Sequence, residues 1–116
     1  MRHRLVADER GAVTVEAAIA IAAIVLVVVM CIGAVLAVSM HIRCVDAARE
    51  AARLAARGDR DNAVSTAARV APDGADISVR DDGDHIVATV RASTPLLPMI
   101  DITAEAVAAV EPDADD

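Results

Sequence analysis

Glu16 is the last charged residue before Ala17–Met40, a run with no charge in it. A carboxylate at that border suits the first turn of a helix, whose amino end favours anions. Two thiols, Cys31 and Cys44, lie thirteen residues apart. On one helix that is about 19–20 Å, far beyond the reach of a disulfide, so they do not pair within the chain. They read as small apolar residues of a packed helix or as contacts between chains. Asp81, Asp82, Asp84 and His85 gather around Gly83. A calcium loop needs more oxygen ligands at set spacing and a bidentate Glu, so this pattern fits a solvated turn. His3, His41 and His85 are too scattered for a metal site. Ser39 has neither a base nor oxyanion donors beside it, which argues against nucleophilic catalysis. The sequence offers no catalytic centre, no metal or other cofactor site and no small-molecule substrate pattern.

The element that must position Glu16 is the uncharged run itself. Its 24 residues include twelve Ile, Leu or Val and seven Ala. As a helix it is roughly 36 Å long, against a hydrocarbon thickness of about 30 Å. The twelve branched residues alone favour insertion by about 4–7 kcal/mol. The chain has no Phe, Tyr or Trp, so the usual aromatic anchors at the membrane interface are missing and Arg and helix length must set the depth. The net charge of −7 is uneven: residues 72–116 hold eleven acids against Arg80 and Arg91. That half is no nucleic-acid binder.

Beyond Met40 the helical pattern continues. Arg43, Asp46, Arg49, Glu50, Arg53 and Arg57 take one broad face, and Ile42, Val45, Ala48, Ala52 and Ala55 line the other. Gly58 is the expected stop. Asp61 is placed to cap a short second helix to Val70, with Val64, Ala67, Ala68 and Ala71 as its apolar side. Ile77 and Val79, the turn Asp82-Gly83, and Ile86, Ala88 and Val90 make a β-hairpin. The segment STPLLPMID is expected to be a loop, because its two prolines break a ladder. Its Leu96, Leu97, Met99 and Ile100 are expected to pack under the sheet or touch the membrane. Residues 102–110 alternate as a third strand, with helix an alternative, since Ala and Glu favour it. The fold class is α+β: a transmembrane helix with an amphipathic stem, a short helix and a small three-stranded antiparallel sheet. Its expected divisions are a basic leader at 1–11, the span and stem at 12–57, a head at 58–111 and an acidic disordered tail at 112–116.

A short basic leader, Gly11, Glu16 on the fifth residue beyond and then an oily helix together resemble the class III signal of type IV prepilins. The stretch RCVDAAREAARLAARGD, the hairpin RDDGDHIVATVRA and the closing ITAEAVAAVEP are similar to TadE-like minor pilins of actinobacterial tight-adherence (Tad/Flp, type IVc) systems. The likeness covers nearly the whole chain, and only the leader junction in it is mechanistically specific. TadE proteins often carry a Pro several residues into the membrane helix, where this chain has Ala22-Ala23-Ile24.

The resemblance implies a non-enzymatic structural pseudopilin in pilus assembly or related secretion. A prepilin peptidase would cut between Gly11 and Ala12, where an extended chain without a side chain enters a confined active site. Glu16 would then register subunits by meeting the new amine of Ala12 on a neighbour, with Gly33 and Ala37 as a small-xxx-small pair for helix packing. Implied partners are that peptidase, other pilins and pseudopilins, pilus platform proteins and membrane lipid. The peptidase needs the leader in the cytoplasm, which puts the head outside. A count of Arg2, Arg4 and Arg10 before the span against Arg43, Arg49, Arg53, Arg57 and Arg60 after it favours the opposite orientation. Two other readings stand: an uncleaved membrane-anchored interaction module, and a secreted soluble protein cut after Ala37, where Val35 and Ala37 fit signal peptidase.

Overall fold

The computed structural model describes residues 2–94 and 97–112. The elements are α1 (Arg2–Ala56), α2 (Arg60–Val70), β1 (Asp76–Asp82), β2 (His85–Thr94) and β3 (Leu97–Ala109). The chain divides into two compact units, residues 1–35 and residues 36–116.

The first unit is helix alone. It starts at Arg2 rather than near residue 12, so the leader is helical and Gly11 lies inside α1. Nothing between Arg2 and Arg10 breaks a helix: there is no Pro, and one Gly costs about 1 kcal/mol against Ala. Once the apolar run has formed helix, extending it is cheap compared with starting one.

The second unit is the α+β head together with the stem of α1. A Schellman arrangement ends α1: Gly58 takes φ +87°, its N–H donates to the Ala55 carbonyl at 3.0 Å, and the Asp59 N–H donates to the Leu54 carbonyl at 3.0 Å. That reversal leaves Asp59, not Asp61, at the N-cap of α2, although its side chain makes no capping bond. Asp59 instead accepts from Asn62 Nδ2 at 3.1 Å, and Asp61 falls in the first turn. The buried side of α2 is Ala63 and Ala67, followed by Ala71, while Val64 is exposed.

The sheet is antiparallel in the order β1-β2-β3. β1 and β2 form the expected hairpin about Gly83, with Asp82 opposite His85 and Val79 opposite Ala88. Residues 102–109 are strand, paired from Ala92↔Ile102 to His85↔Ala109. The strand begins earlier than the alternation suggested: Leu97–Asp101 joins β3 instead of forming a loop. Prolines are tolerated on edge strands and at bulges, and the register shift after Ser93 leaves residues 98–100 without a partner on β2. Met99 and Ile100 do not pack under the sheet, being exposed. The side chains of Leu96 and Leu97, and residues 113–116 of the acidic tail, lie outside the described residues.

Ile77, Val79, Ile86, Ala88, Val90, Ala92, Ile102 and Ala104 give the sheet an apolar face that packs with the stem. The stem meets it with Cys44, Ala47, Ala48, Ala51, Ala52, Ala55 and Ala56, each at most 5% exposed. This track is rotated from the expected one: Ile42 is exposed and Cys44 is fully buried. Volume decides it, because methyl-sized side chains let a helix approach a sheet where an Ile would hold it off.

Candidate functional site

Gly11, Ala12 and Glu16 all lie on α1 and are exposed. Four residues apart, Ala12 and Glu16 share a helix face about one turn apart. A side chain at Gly11 would meet nothing within 4 Å, so no packing demand explains that glycine. Thr14, between them, donates its Oγ1 to the Arg10 carbonyl at 2.9 Å and so satisfies its hydroxyl without water. Glu16 has no ion-pair partner among the described residues. The apolar surface beyond it is open all round, with Ile19 65%, Leu26 61% and Val35 68% exposed. The helix there is long and apolar enough to cross a membrane, and none of that stretch is buried. Gly33 also faces open space, and Ala37 is half-buried.

The remaining candidates separate. Cys31 is exposed and Cys44 buried, both as free thiols. Burial pushes the Cys44 thiol up from its ordinary value, and the Arg43 charge pulls weakly the other way. Asp81 pairs with Arg60, while Asp82, Asp84 and His85 are exposed about the turn. Among the described residues no three His, Cys, Asp or Glu side chains are grouped to hold a metal.

Sequence reasoning missed two fastenings. Arg43 donates Nε to the Val70 carbonyl at 3.1 Å and Nη2 to the Ala71 carbonyl at 3.0 Å, closing the last turn of α2 onto the stem. Glu111 donates its N–H to the Ala56 carbonyl at 3.1 Å, and its carboxylate meets Arg57 Nε at 3.5 Å. Spacing gives no sign of either, since the partners are 27 to 55 residues apart.

An exposed, uncharged helix joined to a small α+β head suggests a single-helix membrane anchor. The family model described as TadE-like protein matches residues 11–53. The protein named Apoptosis inhibitor Rv3655c, from Mycobacterium tuberculosis, is 56% identical over 97 residues, which cover 84% of this chain and 78% of that relative. No solved structure matches the chain. The chain belongs to the TadE-like family, whose members are pilus-associated and structural rather than enzymatic.

Proposed function

We propose that this chain is a minor pilin or pseudopilin of tight-adherence pilus assembly or related secretion, matured by a prepilin peptidase that cuts between Gly11 and Ala12. The observation that carries the reading is the junction: the family match begins at Gly11, Glu16 stands five residues on with no ion-pair partner among the described residues, and a bare apolar helix follows. Cleavage would free the Ala12 amine one turn from Glu16. Within an assembly the carboxylate of one subunit would meet the amine of another, offsetting the penalty of burying either charge alone. The leader lies in the cytoplasm, where the peptidase meets it, and the head lies outside. Contacts with other pilins and platform proteins run through residues 17–40, with Gly33 and Ala37 as the point of closest approach.

A second reading takes its support from the mycobacterial relative, whose name describes an apoptosis inhibitor and which shares 56% identity. In that reading the chain inhibits apoptosis, either anchored or released after Ala37.

The amino terminus of the mature protein separates these readings. Ala12 supports the pilin reading, Val38 the released form and Met1 the uncleaved anchor. Gly11→Val should abolish processing, and normal processing of that variant would refute the peptidase assignment. Glu16→Ala should insert in membranes as before yet be lost from assembled pili, and incorporation at the parent level would remove Glu16 from its proposed role.

A further inference from the structure

A second uncharged run, ASTPLLPMI at residues 92–100, lies between Arg91 and Asp101. Ser93 pairs with Asp101 and the next pair is Thr94 with Leu97, so residues 98–100 bulge from the edge strand. A bulge re-aims side chains away from the ladder. Met99 is 94% exposed and Ile100 48%, and neither joins the core clusters of the head.

Two anchors give the level of this bulge along the stem. At one end the Glu111 N–H is bonded to the Ala56 carbonyl. At the other, Ala92 and Ile102 share a cluster with Cys44, and Met40 packs against it. The ten residue steps from Glu111 back to Asp101, most of them in β3, cover at most about 33 Å, or about 25–30 Å once strands twist and tilt across a helix. That distance is about 17–20 residues of helix counted back from Ala56, to roughly the level of Leu36–Ser39. Those residues are the last turn of the uncharged run. The charges that flank the run in sequence are Arg91 and Asp101, with Asp76 opposite Arg91 on β1. Arg43 is turned onto the end of α2, and Arg91 and Asp101 sit outside the bulge.

We propose that the β2–β3 bulge, led by Met99 and Ile100, inserts into the bilayer around the carboxy-terminal end of the span, so that the head has its own lipid contact. The partner is the boundary between acyl chains and headgroups. An apolar pair held beside a helix that already fixes its depth needs no further ordering to meet it. The inference rests on reading α1 as a membrane span.

The chain lacks Trp, Tyr and Phe, so one introduced Trp is its only strong fluorophore. The full chain, one copy per lipid nanodisc, is prepared as Met99→Trp, Ile100→Trp, Val28→Trp within the span, and Val107→Trp, which replaces a β3 residue 60% exposed. The first three should show blue-shifted emission and quenching by brominated acyl chains, and Val107→Trp should answer only to aqueous acrylamide. Quenching of Val28→Trp by lipid, with Met99→Trp and Ile100→Trp answering only to acrylamide, overturns the inference and leaves the span intact. Loss of lipid quenching at Val28→Trp itself overturns the span and the inference with it. Protection of Met99→Trp that arises only with two copies per disc makes a second chain the occupant and also overturns lipid insertion.

Discussion

Ala51 is fully buried on a stem track whose neighbours Ala47, Ala48 and Ala52 are 0–2% exposed. Ala51→Leu adds three carbons where no neighbour on that track has a χ angle with which to yield. Overpacking of this kind costs about 1–3 kcal/mol, a large share of the roughly 4–12 kcal/mol expected for a unit of about 80 residues. Cys44 reports the loss directly, because its thiol is fully buried in the same cluster and reacts only when the head opens. With a factor of ten for each 1.4 kcal/mol, the opening equilibrium should rise about 5- to 150-fold. The assay is labelling of Cys44 by a water-soluble maleimide in nanodiscs, in a Cys31→Ala background. Ala23→Leu, at an exposed position of the other unit, should leave the rate unchanged. A rate for Ala51→Leu within twofold of the parent would show that the alanine track is not tightly packed, and the steric account of the stem would be wrong.

Arg43→Ala removes both side-chain bonds to the last turn of α2. A loss of about 1 kcal/mol is expected for these partly solvated contacts, seen as faster amide exchange at Ala71, with Arg43→Lys restoring less than half because an ammonium lacks the planar fork. Protection at Ala71 equal to the parent would contradict the tether. The raised Cys44 thiol makes the head sensitive to alkali. Above the ordinary value of 9.0 the unfolded chain releases a proton that the folded one keeps, so stability is intact below that pH and falls as pH climbs toward the folded value. Cys44→Ala should remove that part of the slope in alkaline denaturation curves, and an unchanged slope would exclude the thiol as its source.

Much of this architecture could be read from pattern alone. The uncharged run, the hairpin about Gly83 and the alternation at residues 102–110 each obey one period, and local period survives into the fold, with β3 ending at Ala109. What escaped was decided between elements. Ile42 looked like core by hydropathy, yet the buried positions of the stem are taken by Cys44 and alanines. Pro95 and Pro98 argued for a loop, but an edge-strand bulge at residues 98–100 removes the need for a backbone donor at Pro98. Asp61 is a sound capping residue by type, while the Gly58 reversal hands that position to Asp59. The leader reads as a polar stub until its freedom from helix breakers is weighed against the helix already formed beside it. For the candidate site, Gly11 and Glu16 stood out by their placement at the oily border. Arg43 did not, since a cation reaching carbonyls 27 and 28 residues away leaves no local trace.

The bond from Glu111 to Ala56 has a topological consequence. Residues 57–110 leave α1 and return to within a hydrogen bond of the point of departure, so the two ends of the head lie side by side at the carboxy-terminal end of the stem. Such a cassette is exchangeable in principle under two conditions: its termini must meet within a few ångströms, and its underside must be smooth enough to lie on a row of methyl groups. A grafted head that meets both should leave α1 undisturbed, whereas one that presents a single large side chain to Ala51 should not seat at all.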